Sequence, residues 1–361
     1  MPTDMARDVG KVAPATWADL GESELGLKIA RLLPASVKDR SGWARDLQTA
    51  YARLKITPAA QTFCASIAVI EQESSFQTDP VVPGLPGIVQ KELERRAGKV
   101  FIPKLLVEAA LLKASPDGRS YRERIDGLKT EKQLNALFED MIAELPFGKD
   151  WLANSNPVHT AGPMQVSVRF AEQYANEKTY PYPVGKSIRD EVFTRRGGVY
   201  FGSAILMDYG VPYDDVVYRF ADFNAGRYAC RNAAFQAALA RLSGSALDLD
   251  GDLLRYTDGK PAEAPSSVER ALRSLADQLQ LSPSEIHRDL LLEKTVGFGS
   301  STLFARVFSL ADQAAGQKLP RQAMPQIDLK SPKITRKLST EWFARRVEDR
   351  YRTCLARGAS L

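Results

Sequence analysis

The chain has 361 residues, of which 44% are hydrophobic and 26% are charged, and its formal net charge is +5. This composition is typical of a globular protein long enough for a substantial core and for more than one domain. No apolar run approaches the roughly 18 residues of a membrane-spanning helix. No secretory leader is visible at the start of the sequence, which leaves export an open question.

Helical periodicity dominates the first part of the chain. Apolar residues recur at the spacing of one helix face, which predicts a series of helices. Their ranges are 15–33, 41–56, 61–72, 89–112 and 130–144. Residues 78–88, between the third and fourth of these helices, contain three prolines and two glycines, so a loop is expected there.

The second part of the chain continues the helical pattern. The predicted helices are 167–178, 187–208, 213–223, 228–243, 266–280, 282–294, 301–315 and 338–356. Because alternating strand patterns are scarce, the sequence predicts an all-α fold. The acidic stretch LDLDGDLLRY at 247–256 loosely resembles a calcium loop but lacks the full ligand pattern of one, so calcium is not expected.

Residues 316–361 form a basic tail with eleven Lys/Arg and four Asp/Glu. Such a tail predicts either a solvated basic helix or contact with an anionic surface. The tail has no recognised nucleic-acid motif, so no nucleic-acid partner is expected.

Cysteine and histidine are rare in this chain. The three cysteines, Cys64, Cys230 and Cys354, are an odd number and do not describe a disulfide framework. A Cys64–Cys230 disulfide and separate buried thiols are the open alternatives, and separate thiols are favoured. His159 and His287 form no cluster with the cysteines at metal-ligand spacing, so neither a zinc site nor another cofactor is expected.

Three short motifs in the middle of the chain indicate a catalytic centre. AVIEQESSF at 68–76 ends a predicted helix with a carboxylate followed by a hydroxyl, AGPMQVS at 161–167 sets a glycine beside a methionine and a glutamine, and RFADFNAG at 219–226 sets an amide in a tight turn. The candidate site residues are Glu73, Ser74, Gly162, Met164, Gln165, Phe223, Asn224, Ala225 and Gly226.

In this order the motifs resemble the catalytic core of the lytic transglycosylases, the lysozyme-like family 23 glycoside hydrolases, which read close to Q-E-S-x-F, G-x-M-Q and A-Y-N-A-G. A fainter match is GGVYFGSAILMDYG at 197–210, where that family often has a Gly-Ala-x-Tyr-Leu helix. The resemblance covers roughly residues 58–245 and implies a lysozyme-like helical core. The flanks are then an N-terminal helical segment, 1–57, and a C-terminal helical region with the basic tail, 246–361.

The interval between the first two motifs is much longer than in the family. We therefore expect a helical insertion over about 84–150, with Trp151 just after it. Three roles for it are open: it caps the groove, binds a stem peptide or contacts a partner. A fourth reading is that it only enlarges the fold.

Cleavage of a glycosidic bond requires a proton on the leaving oxygen while positive charge grows on the sugar ring. A carboxylic acid delivers this proton best when apolar burial raises its pKa. Ile70 and Phe76 are suitable apolar neighbours for Glu73, which is expected to be mostly buried. Glu71 lies about 200° away around the same helix, so it should face elsewhere, for example into an ion pair.

The resemblance implies a role for each candidate residue. Glu73 acts first as acid and then as base on the 6-hydroxyl of N-acetylmuramic acid, which gives a 1,6-anhydro product. Ser74 bonds near the carboxylate, and Met164 and Gln165 line the sugar groove. Asn224 binds the acetamido region of the substrate. Glu73, Gln165 and Asn224 are therefore expected to converge on one cleft, with Met164 and Phe223 as its apolar wall.

Three positions depart from the family pattern. Phe223 stands where the family usually has Tyr, so a hydroxyl that could bond Glu73 is missing. Pro163 replaces the usual Leu and stiffens that loop. Asp222 is expected to cap the turn rather than act as a second acid. The candidate substitutes for the missing hydroxyl are Tyr200, Tyr213, Tyr218 and Tyr228.

The leading hypothesis is a peptidoglycan lytic transglycosylase that is exported to the periplasm or held on the outer membrane as a lipoprotein; the two locations stay open. Its expected partners are peptidoglycan glycan strands, other cell-wall proteins, and an anionic surface reached by the basic tail. Two alternatives stay open. One is a muramidase that uses water, and the other is a non-catalytic glycan-binding or scaffolding protein on a degenerate fold, which the loss of the motif Tyr slightly favours.

Overall fold

The computed structural model describes residues 17–99, 101, 103–144, 156–257, 259–329 and 338–359. The fold is all-α, as predicted, because the strands among these residues are two-residue antiparallel pairs only. The pairs are Thr160–Ala161 with Val166–Ser167 (β1 and β2), Tyr256–Thr257 with Lys260–Pro261 (β3 and β4), and Asp328–Leu329 with Leu338–Ser339 (β5 and β6).

Among the residues just given, the first seven helices are α1 Glu22–Leu32, α2 Arg40–Leu54, α3 Ala60–Ser74, α4 Leu85–Lys99, α5 Lys104–Leu111, α6 Tyr121–Asp126 and α7 Glu131–Ala143. Five follow before the chain leaves the motif region: α8 Val168–Glu177, α9 Ile188–Val192, α10 Arg195–Met207, α11 Val217–Ala225 and α12 Ala229–Ser243. The last are α13 Ser267–Ser274, α14 Ala276–Leu279, α15 Pro283–Leu290, a 3₁₀ turn Val296–Ser300, α16 Thr302–Ala315 and α17 Thr340–Ala359.

Three of the predicted helices are divided in the structure, and one of them, 266–280, is α13 and α14 with Leu275 between them. The predicted helix 89–112 is α4 and α5, because Pro103 cannot continue a helix and disfavours the helical conformation of the residue before it. The predicted helix 187–208 is α9 and α10, because the Thr194 side chain accepts a hydrogen bond from the Gly197 N–H and starts a new helix.

Helix α3 is the centre of the main core. Every side chain from Phe63 to Ile70 is buried, because this stretch is apolar or small on all faces and must be covered on all sides. The buried hydroxyl of Ser66 is satisfied by Tyr51 of α2 and, at 3.2 Å, by Ser203 of α10. This polar bridge fixes α3 against two neighbouring helices.

Helix α17 returns from the far end of the chain to cover α3. Its buried residues include Phe343, Val347 and Cys354, and Cys354 forms a disulfide with Cys64 of α3, with a Cα–Cα distance of 5.5 Å. Both the alternative Cys64–Cys230 pairing and the favoured prediction of separate thiols are therefore wrong, because the partner of Cys64 lies on α17, the helix that packs most extensively against α3. Cys230 is a free buried thiol whose Sγ lies 3.3 Å from the Tyr218 carbonyl oxygen.

Loss of the Cys64–Cys354 bond should lower stability by about 2–5 kcal/mol, because the disulfide closes a very long loop. We expect Cys64→Ala and Cys354→Ala to give equal losses of unfolding free energy in urea, and the double variant to lose no more than either one. A reductant should destabilise the wild type and leave the double variant unchanged. Non-equivalent single variants would contradict the pairing.

The predicted insertion is helical where the structure describes it, in α4 to α7. Residues 145–150 of it, and Trp151, lie outside the described residues. Leu85, Tyr121, Ile125 and Leu134 are buried in the same apolar cluster as α3, so the insertion packs onto the main core. The boundaries predicted for the three domains stay predictions.

A second apolar cluster lies in the C-terminal region, where α12 packs against α13 and α16. Phe235, Leu272, Ile286 and Phe308 are central to it. The stretch 247–256 crosses beside this cluster. There the buried Glu293 carboxylate accepts hydrogen bonds from the N–H groups of Leu253 and Leu254 and from the hydroxyl of Tyr256, so it organises this loop.

Candidate functional site

Glu73 lies on the last turn of α3, at the end of an otherwise buried helix. The helix ends because Ser75 and Phe76 adopt left-handed φ values of 50° and 62°, a conformation that is unusual for non-glycine residues and that the surrounding structure must impose. Phe76 is held by an edge-on contact with Trp43, 5.3 Å between ring centres. Glu73 is of intermediate exposure, so most of its surface is covered, as predicted, while the last turn of α3 reaches the surface.

Glu71 faces away from this end of the helix, as predicted from the helical phase. Its Oε2 lies 3.8 Å from Nη2 of Arg357 on α17, and the same guanidinium donates to the Leu32 carbonyl oxygen. Burial lowers the pKa of Arg357, although the Glu71 carboxylate acts in the opposite direction. Glu71 thus belongs to the contact between α3 and α17.

The role implied for Ser74 near the carboxylate stays a prediction, and the structure gives its hydroxyl a partner on its own helix. Its buried Oγ donates to the Ile70 carbonyl oxygen at 3.1 Å, a bond back onto its own helix. Short hydroxyl side chains commonly make this bond to the residue four positions earlier. Ser74 therefore helps to end α3.

The second motif forms the tip between β1 and β2. Gly162 has a φ of 73°, and a Cβ at this position would lie 2.1 Å from the Val192 carbonyl oxygen, so only glycine fits. Gln165 is also left-handed, with a φ of 48°. Its half-buried amide accepts from the Thr160 hydroxyl at 3.1 Å and donates to the Gly162 carbonyl oxygen at 3.3 Å. These bonds fix the side chain within its own hairpin.

Met164 does not line a groove. It is fully buried and packs on Gly202 of α10, where a Cβ would lie 2.3 Å from the sulfur. One turn earlier, Gly198 of α10 leaves similar space for Pro163. Gly198 and Gly202 therefore form the surface that receives the hairpin, and Met164 lies in the core because Gly202 opposite it has no side chain.

The third motif ends α11. Phe223, Asn224 and Ala225 are half-buried, and the exposed Gly226 ends the helix with a φ of 113°. The fully buried Thr340, first residue of α17, donates from Oγ1 to Oδ1 of Asn224 at 2.8 Å. This bond fixes the amide oxygen and leaves the amide nitrogen as the donor group. Sequence reasoning missed Thr340, because it lies far outside the motifs.

Asp222 is a fully buried cap, as expected, and not a second acid. Its carboxylate accepts from the hydroxyls of Tyr209 and Tyr213 at 3.0 and 2.8 Å, and from the N–H groups of Tyr228 and Cys230 at 2.9 and 2.7 Å. Burial raises its pKa, and these hydrogen bonds act in the opposite direction. The arrangement joins the end of α11 to the start of α12.

Two tyrosines predicted to replace the missing motif hydroxyl are engaged elsewhere. The Tyr213 hydroxyl donates to Asp222, and the Tyr200 hydroxyl donates to the Thr179 carbonyl oxygen at 3.4 Å. Tyr218 lies beside Tyr213, and Tyr228 packs on Tyr209 and under Arg231. These contacts build the core around the third motif.

The elements that carry the three motifs belong to one packed unit. Helix α10 contacts α3 and α11 and supports the hairpin, and α17 packs on both α3 and α11. Convergence of Glu73, Gln165 and Asn224 on one cleft stays a prediction. Among the residues the structure describes, there is no cluster of three or more His, Cys, Asp or Glu suited to a metal ion.

Part of the basic tail forms helix α17, which packs on the main core. In α17, Arg345 and Arg352 pair with Glu348 at 3.1 and 2.5 Å. Lys330, Lys333, Arg336 and Lys337 lie outside the described residues, so contact of the tail with an anionic surface stays a prediction. Within the described part of the chain, no helix has both the length and the apolar character needed to cross a bilayer.

Comparison with known proteins finds a relative that matches this chain over most of the length of both proteins. The Uncharacterized protein YaiW of Escherichia coli (strain K12) is 47% identical over 327 residues, which are 91% of this chain and 88% of that protein. No solved structure matches the chain. Residues 36–357 match the family described as Protein of unknown function (DUF1615), and this match over most of its length shows that the chain belongs to that family.

Proposed function

We propose that this protein is a peptidoglycan lytic transglycosylase that cleaves the bond between N-acetylmuramic acid and N-acetylglucosamine. The observation that carries the proposal is the position of Glu73. The motif carboxylate lies at the surface end of the central core helix, while Glu71 is held by Arg357. Of these two glutamates on α3, Glu73 is the one at the surface end of the helix, which is the position that supports its assignment as the catalytic carboxylate.

The proposed reaction needs one carboxyl group. Glu73 protonates the leaving glycosidic oxygen, and the N-acetyl group of the substrate stabilises the sugar cation. Glu73 then accepts the proton of the 6-hydroxyl as that oxygen closes the 1,6-anhydro ring. The Asn224 amide nitrogen, left as a donor by Thr340, suits the carbonyl oxygen of an acetamido group.

The Cys64–Cys354 disulfide supports a location in the cell envelope. Disulfides persist in oxidising compartments such as the bacterial periplasm and are rare in the cytosol. The proposal therefore includes export to the periplasm, anchoring to the outer membrane as a lipoprotein, and glycan strands and other cell-wall proteins as partners.

Digestion of purified peptidoglycan tests this function directly. The protein is incubated with insoluble sacculi, and the soluble products are weighed by mass spectrometry. We expect 1,6-anhydro muropeptides. Products with reducing ends would assign a water-using muramidase instead, and an absence of soluble products under conditions where the fold is intact would exclude both enzymes.

One observation favours a second candidate, a glycan-binding protein without activity. Phe223 has no hydroxyl, and Tyr200 and Tyr213 use theirs elsewhere. In that case the protein should co-sediment with sacculi and release nothing. The release of soluble products by the wild type, which only the enzyme gives, separates the two candidates.

A further inference from the structure

Helix α5 in the insertion exposes an apolar face to solvent. Its outward arc carries Leu105, Leu106, Ala109, Ala110 and Leu112, all exposed. The leucines at 105, 106 and 112 are 76%, 59% and 69% exposed, and the nearby Phe101 is 92% exposed. A helix on the surface of a globular protein normally presents polar residues on such an arc.

The inward side of α5 faces a cavity of about 510 Å³ between α4 and α5, lined by Val107, Glu108 and Leu111, with the exposed Lys104 at its edge. The outward arc of α5 is therefore as apolar as its inward side. Burial of the helix in its own fold does not explain the outward leucines, since Leu111 is the residue of α5 that is buried against the core.

Two lysines mark the ends of the apolar face. Lys104 begins α5 and Lys113 follows it, and both are well exposed. They pair with Glu94 at 3.3 Å and with Glu144 at 2.5 Å. Exposed ion pairs of this kind contribute little stability, so either lysine can exchange its carboxylate for another anion at low cost.

Size and charge decide which occupant fits this face. Four long side chains form a patch on the order of a few hundred Å², which is below the roughly 800 Å² per partner of a standard protein interface. A short apolar face with lysines at both ends instead suits shallow insertion into a bilayer surface. Leucine and phenylalanine enter the boundary of the acyl chains there, and lysine reaches the headgroups.

We propose that Phe101 and α5 form a membrane-docking site that inserts Phe101, Leu105, Leu106 and Leu112 into the surface of an anionic phospholipid bilayer. Lys104 and Lys113 then lie at the level of the lipid phosphates. The contact is peripheral and reversible. It is independent of Glu73 and of the proposed reaction, because the residues involved belong to the insertion.

Co-sedimentation of the full chain with vesicles of phosphatidylethanolamine and phosphatidylglycerol tests the proposal. We expect the wild type to bind, and the Leu105→Ser/Leu106→Ser/Leu112→Ser variant to lose about tenfold or more in partition coefficient, since it removes most of the inserted apolar area. The matched control is Leu27→Ser/Val81→Ser/Val296→Ser, which removes three similarly exposed apolar side chains elsewhere and should bind like the wild type.

A second measurement reports insertion directly. Phe101→Trp places an indole at the most exposed of these positions, and its emission should shift to shorter wavelength when vesicles are added. Vesicles of phosphatidylcholine alone should bind more weakly, because they lack the anionic headgroups. Absence of wild-type binding, or equal binding by the two triple variants, overturns the proposal. A third result would also overturn it: the wild type is a dimer that binds no vesicles, and the triple variant in α5 is a monomer. The apolar face would then join two copies of the chain.

Discussion

Glu73→Gln should lower the rate of peptidoglycan cleavage by about 10²–10⁴-fold, the usual contribution of a general acid. The substitution keeps the shape of the side chain and removes the proton that the leaving oxygen needs. The measurement is the initial rate of release of soluble muropeptides from sacculi. Because Glu73 is half-buried at a helix end, the unfolding free energy should change little.

Glu71→Gln is the matched control, since it makes the same chemical change two residues earlier on the same helix. It weakens the contact with Arg357 and should retain most of the activity. Equal losses at the two positions would mean that the wrong carboxylate has been assigned. Retention of more than about a tenth of the activity by Glu73→Gln would contradict the acid role.

Asp222→Asn should destabilise the protein by about 3–5 kcal/mol, the cost of disrupting a buried, charged hydrogen-bond network. Both carboxylate oxygens accept from backbone N–H groups, at Tyr228 and Cys230, and one of them also accepts from two tyrosine hydroxyls. In the asparagine variant, the amide nitrogen replaces one of these oxygens and meets a backbone N–H group. That N–H group then has no hydrogen-bond acceptor. Urea unfolding monitored by circular dichroism gives the loss.

Asp214→Asn is the control for this substitution, because Asp214 is exposed and lies on the same stretch of chain before α11. It should cost less than about 0.5 kcal/mol. Tyr213→Phe removes one donor to Asp222. Its loss of unfolding free energy should lie between those of the two Asp variants, at about 1–2 kcal/mol. Stability of Asp222→Asn close to that of Asp214→Asn would show that the carboxylate does not hold α11 to α12.

The order of residues within short segments was enough to predict the features that depend only on neighbouring residues in the sequence. The helical spacing of apolar residues gave the all-α class. The rotation of about 100° per residue placed Glu71 away from Glu73. Asp222 was recognised as a cap because a short carboxylate beside a turn commonly accepts backbone N–H groups.

The features that sequence reasoning missed depend on residues far apart in the chain. Cys354 is 290 positions from Cys64, and no spacing rule relates them. Thr340 meets Asn224 only because α17 packs beside α11. Met164 was expected at a groove because the sequence motif gives no information about which distant residue packs against it. Its burial follows from the missing side chain of Gly202, which becomes visible once the two segments are in contact.

The position of α17 has a consequence for how the chain is made. At a ribosomal rate of ~5–20 residues per second, the 290 positions between Cys64 and Cys354 take roughly 15–60 s to synthesise. During that time α3 lacks the helix that covers it, so its apolar surface stays open to a chaperone. The export proposed above requires a chain that is still unfolded, and this late completion of the core would keep the chain unfolded until α17 has been made.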